Sequence, residues 1–422
     1  MKRKKRRIRP WIKYTMVIIL LFTLIIKAYY FLLDSLKEPV SINQDAEIYK
    51  SETCYAFYPK EYSQKGLDYV VNLCNQVKDT EDNQEYIFDY QTNQIGDFIE
   101  IDYGNDNKYL ITKDYQDYQL ANLNDRARMI ISDYLRYTLK SENRDEAYTA
   151  KFMEETYYPN IEADLFENVY LDIENIHLHS KEYDIDVSIP LKYIGNAINV
   201  DLNQTEEEYI KPIYINPNRK AIAITFDDGP SLKPECTNKV INELYKYDAT
   251  GTFFVVGRQL YDDTEPLLEK GIKLGNEYGS HSCTHRNLKT LSSDEIEEEI
   301  MDVVYWFKEK FNYDIKLYRP PYGAYDDNVD AIIPLPAILW DIDSIDWKLR
   351  DADAIIGEIG SDIPNNSVLL LHDIHATSIE AVVDKGLIKN LIDQGYQLVN
   401  VSEIAKMRNV ELKQGTHFCW DK

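Results

Sequence analysis

The feature that most restricts the fold of this 422-residue chain is a regular alternation of short apolar runs with amphipathic helical patterns over residues 217–410. Short apolar runs predict buried strands, and apolar residues spaced three or four apart predict helices. Strands that alternate with helices pair in parallel, because a parallel pair needs a long crossover connection. No Gly-rich dinucleotide loop follows the first strand, and the number of repeats favours an α/β fold of the (β/α) barrel type over an open sheet. The predicted strands are 221–226, 252–256, 317–319, 337–340, 368–371 and 397–401, and the predicted helices are 235–247, 265–274, 293–311 and 378–392.

The N-terminus combines a basic cluster with an apolar segment. Residues 1–13 contain eight Lys and Arg and no acid, and residues 11–33 are long enough to cross a bilayer, which takes about 20 residues. Basic flanks stay in the cytoplasm, so residues 1–10 are predicted to be cytoplasmic and the chain after residue 33 extracellular. A cleaved signal peptide is the alternative, but no convincing small-x-small site follows the apolar run. We therefore predict a single-pass protein of the cell membrane.

The chain as a whole is strongly acidic. Lys and Arg number 47 against 72 Asp and Glu, which gives a net charge of -25. Nucleic-acid binding is not expected, because it requires a basic face. Five cysteines are too few for a disulfide scaffold, and the sequence leaves open whether Cys54 and Cys74 pair. No protein partner is inferred.

The region before the barrel has mixed patterns. Residues 46–205 are predicted to be an α+β accessory domain, with a helix near 123–137 and strands near 170–176 and 183–190. His177 and His179 share one face of a strand and are interpreted as ordinary strand residues. The segments around this domain are a stalk at 34–45, a linker at 206–216, the predicted barrel at 217–410 and a C-terminal tail at 411–422 that has no interpretation.

Polar clusters fall where the predicted barrel strands end. In a parallel β/α barrel, the catalytic groups gather at the carboxyl ends of the strands. Neighbouring side chains there point in different directions, so one carboxylate can bind a metal while the next faces a reacting water. The clusters are 225–230 (TFDDGP), 281–285 (HSCTH), 319–323 (RPPYG), 340–347 (WDIDSIDW) and 369–373 (LLLHD), with His375 close behind.

Two of these clusters together predict a metal site. His281 and His285 are four residues apart, a spacing used for divalent metals, and Asp228 would add a carboxylate. Such a set leaves coordination positions open and suits metal-assisted hydrolysis. A histidine at a strand end beside a carboxylate, as at His372, is a candidate general acid.

The five clusters, in this order, resemble the motif set of the polysaccharide deacetylases, carbohydrate esterase family 4. The resemblance covers about 217–407 and implies a distorted (β/α) barrel that hydrolyses N-acetyl groups on a glycan. Together with the predicted anchor, it is similar to membrane-anchored peptidoglycan N-acetylglucosamine deacetylases. The alternatives are another polymer as substrate (poly-N-acetylglucosamine, chitin oligomers or acetylated xylan) and a protein that only binds glycan.

The resemblance also implies roles for individual residues. Asp228, His281 and His285 would hold a divalent metal, usually zinc, with cobalt, manganese or nickel as alternatives. Asp227 would be the general base for the attacking water. His372 would protonate the departing amine.

The remaining implied roles concern orientation and substrate contact. Arg319 would orient Asp227, and Asp346 would orient His372. The backbone N–H of Tyr322 would stabilise the oxyanion. The substrate-contacting residues would be Pro321, Trp347 and Leu370.

Overall fold

A computed structural model was analysed, and it describes most of the chain from residue 46 onwards. The predicted cytoplasmic segment, membrane span and stalk (1–45) lie outside the described residues. None of the helices that the structure describes is both long and apolar enough to cross a bilayer. The described residues are 46–50, 54–59, 70–71, 74, 86–88, 91–95, 98–102, 108–112, 120, 123–166, 168–171, 174–198, 208–232 and 235–418.

The chain divides into two compact units, residues 1–118 and 119–422. In the first unit, β1 (Ala46–Lys50) pairs antiparallel with β2 (Cys54–Pro59), which pairs in parallel with β3 (Tyr86–Phe88). A disulfide joins Cys54 to Cys74, with their Cα atoms 5.5 Å apart. A separate antiparallel meander is formed by β4 (Gln91–Ile95), β5 (Phe98–Asp102) and β6 (Lys108–Thr112).

The second unit begins with an amphipathic helix, α1 (Asp125–Ser141), which is capped by the Asn124 side chain. A short helix α2 (Ala150–Glu155) follows. The next elements are an antiparallel meander of β7 (Asn168–Leu171), β8 (Asn175–Ser180) and β9 (Ile185–Pro190), and helix α3 (Leu191–Ile194). The sequence placed a domain boundary near 205, whereas the compact units divide at 118, so that these elements group with the residues that follow them.

The second unit is organised by a parallel sheet. Its central strand β10 (Ala221–Asp227) is buried along its whole length, as an uninterrupted apolar run predicts. The sheet order is β12 (Glu277–Ser280), β11 (Thr252–Val255), β10, β15 (Ser367–His372) and β14 (Ile342–Asp343), and β16 (Gln397–Leu398) pairs with the start of β10. The predicted α/β class with a parallel sheet is therefore confirmed.

Helices connect these strands. Each long one buries an apolar face, and α6 begins with a capping box between Ser292 and Glu295. Ordered along the chain, they are α4 (Cys236–Lys246), α5 (Glu265–Lys273), α6 (Ser293–Phe311), α7 (Asp327–Ile332), α8 (Asp346–Leu349), α9 (Ala352–Ile359), α10 (Ala376–Ile379), α11 (Leu387–Asp393) and α12 (Val401–Met407).

Two predicted elements differ in the structure. The strand expected at 317–319 is reduced to Tyr318, which bridges Ser280 and Ala337, because the two prolines that follow have no N–H to continue a ladder. The helix expected at 378–392 is broken between α10 and α11. A π-helical segment at Glu380–Asp384 interrupts it, and Gly386 takes a left-handed φ of 68° before α11 begins.

The C-terminal tail, for which the sequence offered no interpretation, contributes a strand. Residues of β17 (His417–Phe418) pair in parallel with β13 (Ala337–Ile338). The Phe418 side chain is only 2% exposed and belongs to the apolar core that also contains Phe254 and Leu317. The His417 imidazole lies 2.6 Å from Asp330, which fixes the strand to α7.

A buried group of charged side chains attaches α1 to the segment after α4. Lys140 of α1 pairs with Asp248, and Lys211 lies 2.5 Å from the same carboxylate. Arg136 is fully buried and donates to the carbonyl of Tyr245 at 3.3 Å. Burial opposes ionisation of Asp248, but the two lysines outweigh it and hold the pKa of Asp248 well below its usual range. This ionic group makes α1 part of the same packed unit as the parallel sheet.

Candidate active site

The polar clusters converge because the strands that precede them are neighbours. Asp227 ends β10 and His372 ends β15, and the two residues are direct partners in the strand register. His281 follows β12 at once, and Arg319 follows the bridging residue Tyr318. All four therefore lie at the carboxyl edge of one sheet, where the sequence predicted the catalytic groups.

Asp228, His281 and His285 form the predicted metal-ligand cluster. One candidate ligand atom from each lies within 4.8 Å of the other two. The Asp228 Oδ1 is 3.7 Å from His281 Nε2 and 3.3 Å from His285 Nε2. Asp228 and His285 both have left-handed backbone conformations, with φ of 73° and 60°. Strain of this kind persists where the surrounding structure fixes it, commonly at functional sites.

The hydrogen bonds of this cluster fit a bound cation. His281 Nδ1 lies 2.8 Å from the carbonyl of Arg319, which can only accept, so Nδ1 carries the proton and Nε2 presents a lone pair. Burial lowers the pKa of His281 to about 3, which keeps the ring neutral. The buried Oδ1 of Asp228 has no hydrogen-bond partner among the described residues. A buried carboxylate oxygen without a donor, facing two imidazole lone pairs, suits a divalent metal.

Asp227 is held by Arg319, as the sequence predicted. Arg319 Nη1 donates to Asp227 Oδ1 at 2.8 Å and to Thr225 Oγ1 at 2.8 Å. The guanidinium is fully buried, and its other nitrogens donate to the carbonyls of Ile338 and Leu339. Burial raises the pKa of Asp227, while Arg319 acts in the opposite direction. The second Asp227 oxygen, Oδ2, lies 3.6 Å from His281 Nε2 and therefore borders the metal-ligand cluster.

His372 and Asp346 form a second pair on the other side of the site. Asp346 Oδ1 is 2.7 Å from His372 Nδ1, and Asp346 Oδ2 accepts from the His372 backbone N–H at 2.8 Å and from Ser378 Oγ at 2.5 Å. Burial lowers the pKa of His372, but the hydrogen bond and charge of Asp346 outweigh it and raise the pKa to about 9. The imidazole is therefore protonated at neutral pH, with Nε2 available as a donor.

Tyr322 lies on the short turn Pro321–Gly323 and has a left-handed φ of 62°. Its side chain is 69% exposed and lies against His285, with the ring centroids 4.7 Å apart and the hydroxyl 3.2 Å from His285 Nδ1. The sequence predicted a role for the Tyr322 backbone but not for its hydroxyl.

These groups surround a cavity of about 460 Å³. Trp347 and Leu370 line it, as predicted, and Trp347 is 51% exposed at its edge. Pro321 is buried and does not line the cavity, whereas the preceding Pro320 does. Arg319 and Asp346 do not line the cavity, but they hydrogen-bond to Asp227 and His372, which do. The lining residues are Asp227, Asp228, His281, His285, Pro320, Tyr322, Gly323, Trp340, Asp343, Trp347, Leu370 and His372.

Sequence reasoning did not assign Trp340 or Asp343 to the cavity. Both belong to the 340–347 cluster, so the cluster itself was the available signal. Asp343 is placed at the cavity by the pairing of β14 with β15, a contact between distant segments that the local sequence pattern does not specify.

Comparison with known proteins identifies the family of this chain. The sequence profile described as "Polysaccharide deacetylase" matches residues 214–334. The peptidoglycan-N-acetylmuramic acid deacetylase PdaC of Bacillus subtilis is 38% identical over 194 residues, which are 46% of this chain and 40% of PdaC. A peptidoglycan-N-acetylglucosamine deacetylase of Bacillus cereus is 31% identical over 198 residues, with coverage of 46% of this chain and 91% of that protein. The chain belongs to the polysaccharide deacetylase family.

The solved structure of PdaC from Bacillus subtilis has 37% identity and a TM-score of 0.44, and the match covers 46% of this chain and 94% of that one. Measured against the full length of PdaC, this chain spans about two fifths.

Proposed function

We propose that this protein removes N-acetyl groups from peptidoglycan by metal-dependent hydrolysis, acting on N-acetylglucosamine and releasing acetate. The observation that carries the proposal is the direct pairing of Asp227 and His372 across adjacent strands, on a cavity that also contains Asp228, His281 and His285. A candidate base, a candidate acid and a candidate metal-ligand set thus line one cavity. Hydrolysis of an amide needs these three functions.

Asp228, His281 and His285 would hold the divalent cation, for which zinc is the first choice because two imidazoles and a carboxylate suit it. When bound, the cation would supply Lewis-acid polarisation of the acetyl carbonyl and would make water easier to deprotonate.

The chain's own residues would carry out the proton transfers. Asp227 would take a proton from the water whose oxygen attacks the carbonyl carbon, and Arg319 would keep that carboxylate oriented. As the carbon–nitrogen bond breaks, His372 would give its Nε2 proton to the departing amine. The products are acetate and a free amino group on the sugar. Asp346 would hold the imidazole in the orientation and tautomer that this step requires.

Substrate positioning would come from the rim and wall of the cavity. Leu370 and Trp347 offer apolar surface for the acetyl methyl and the sugar face. The backbone N–H of Tyr322 would donate to the developing oxyanion.

We also propose that the protein is anchored in the cell membrane by residues 11–33, with its catalytic unit outside the cell. The basic cluster before the apolar segment supports this orientation. Protease treatment of intact cells tests it: cleavage of the catalytic unit without lysis is the expected result, and protection until lysis would contradict it.

The activity is tested by acetate release from purified peptidoglycan by the full-length protein, beside N-acetylglucosamine oligomers and acetylated xylan. Each reaction is run with and without a chelator, and the Asp227→Asn variant is the matched negative control. Chelator-sensitive release from peptidoglycan, absent in the variant, is the expected result. Release only from another polymer would contradict the substrate, and release that a chelator does not affect would contradict the mechanism.

A further inference from the structure

We propose that Arg350 forms a subsite for a carboxylate carried by the glycan, next to the deacetylation centre. This inference rests on the proposed function, because it names a chemical feature of the substrate that the same site would recognise. Such a subsite would favour a glycan with acidic substituents over a neutral one.

The position of Arg350 follows from helix α8. Trp347 lines the cavity from the first turn of α8, and Arg350 is the C-cap residue three positions later. Both ends of α8 are fixed by left-handed residues, Ile345 with φ of 52° and Arg350 itself with φ of 57°. Arg350 is exposed and does not itself line the cavity, so its place beside the site is given by its contact with His375.

A contact to His375 fixes the guanidinium further. Arg350 Nη1 lies 3.1 Å from His375 Nδ1, and the imidazole must be the acceptor because a guanidinium can only donate. The ring of His375 lies 5.9 Å from the ring of His372, the candidate acid. His375 thus stands between Arg350 and His372, the candidate acid.

Arg350 differs from most arginines of this unit in that its charge is not paired with a carboxylate of the described residues. Within the described part of the chain, no carboxylate forms an ion pair with Arg350, although acids outnumber bases by 72 to 47. The arginines that do pair with a carboxylate are Arg128, Arg144, Arg219, Arg286, Arg319 and Arg408. Four of the five N–H groups of Arg350 remain for a ligand.

The chemistry of these donors points to a carboxylate. A guanidinium binds a carboxylate through two parallel hydrogen bonds, and this geometry gives orientation as well as affinity. The cavity beside it is lined by Asp227, Asp228 and Asp343, which would repel an anionic strand. A cation at the rim would offset that repulsion. In peptidoglycan the available carboxylates are the lactyl group of muramic acid and those of the stem peptide.

The test compares three substrates of the full-length protein. They are peptidoglycan strands with stem peptides, strands whose stem peptides have been removed so that only lactyl carboxylates remain, and neutral N-acetylglucosamine oligomers. The variants are Arg350→Ala and the matched control Lys348→Ala, which removes an exposed cation from the same helix.

We expect Arg350→Ala to lower the ratio of kcat/KM for an anionic strand to kcat/KM for the neutral oligomer by about threefold to tenfold, mainly through KM. Lys348→Ala should leave the ratio unchanged. If the ratio falls for the peptide-free strands, the ligand of Arg350 is the lactyl carboxylate. If it falls only for strands with peptides, the ligand is a carboxylate of the stem peptide. A ratio that Arg350→Ala does not change overturns the subsite.

Equilibrium binding of the peptide-free and peptide-bearing strands separates this inference from the proposed function. If the wild-type protein binds a strand several-fold more tightly than Arg350→Ala but releases no acetate, the proposed reaction fails and the subsite stands. Equal binding by both proteins, with acetate release by both, keeps the reaction and removes the subsite.

Discussion

The hydroxyl of Tyr322 lies 3.2 Å from Nδ1 of His285, so one residue of the Pro321–Gly323 turn contacts a candidate metal ligand through its side chain. His281 has the corresponding contact from the carbonyl of Arg319. Each histidine therefore has a hydrogen-bond partner on the nitrogen that faces away from Asp228. Such partners fix the ring orientation and tautomer of metal-binding histidines.

We expect Tyr322→Phe to weaken metal binding by about threefold to tenfold, less than the full effect of a buried partner because Tyr322 is exposed. The phenyl ring keeps the packing against His285, and only the hydroxyl is lost. Competition with a chromogenic chelator measures the metal affinity directly. Tyr305→Phe, which removes an exposed hydroxyl from α6, is the matched control. Identical affinities in Tyr322→Phe and wild type would show that the hydroxyl plays no part.

Substitutions of the adjacent acids Asp227 and Asp228 should separate catalysis from metal binding. Asp227→Asn is expected to retain the metal and to lower kcat by about 10²–10⁴-fold, because an amide cannot accept the proton of water. Asp228→Ala is expected to lose both the metal and the activity, because it removes one of three ligands. Both expectations are tested by measuring the metal content and kcat of the two purified variants. Turnover by a metal-free Asp228→Ala protein would contradict the assignment.

The pH dependence of the reaction should report the pair of Asp346 and His372. The acid must be protonated, and its pKa of about 9 keeps it so at neutral pH, with activity lost as the pH rises through that value. Asp346→Asn removes the charge that raises this pKa, so the alkaline limb of the kcat/KM profile should move to lower pH. At pH 8 the loss should reach tenfold or more.

Ser378→Ala is the control for this experiment, because it removes one hydrogen bond to Asp346 and leaves the carboxylate in place. Its alkaline limb should move much less. An unshifted limb in Asp346→Asn would place the titrating acid elsewhere.

The C-terminal strand should contribute strongly to stability. Phe418 is almost fully buried in the core, so Phe418→Ala is expected to lower the free energy of unfolding by about 3–5 kcal/mol. Val410, 37% exposed just before the tail, provides the control, and Val410→Ala should change stability by about 0.5 kcal/mol or less. Urea unfolding followed by tryptophan fluorescence measures both. Equal stability of the two variants would mean that β17 is not held by its core contact.

The sequence predicted those features of the fold and the site that depend on local patterns, and it missed those that depend on contacts between distant segments. The buried strand that ends at Asp227 and the one that ends at His372 were recognised from local apolar runs, and the edge at which they end follows from parallel pairing. The family assignment was made from motifs at these strand ends, and the sequence profile and the relatives confirmed it. The roles assigned to individual site residues stay predictions until the variants above are measured.

Other features were not predictable because their local signal is weak. Strand β14 is two residues long, and β17 lies in a polar tail, so neither has a recognisable period. Both are fixed by pairing with distant segments. The hydroxyl contact of Tyr322 depends on a left-handed turn that brings residue 322 against residue 285, and no spacing in the sequence encodes that distance.

The buried group of Lys140, Lys211 and Asp248 constrains how this chain can change over time. Loss of Asp248 would leave both lysines buried without that carboxylate, and breaking buried pairs in this way typically costs about 3–5 kcal/mol. Single substitutions of Asp248 would therefore be selected against, and tolerated changes there would accompany replacement of the lysines. Helix α1 and the segment that follows α4 should consequently be inherited together, as one evolutionary unit, however freely the sequence before α1 is exchanged.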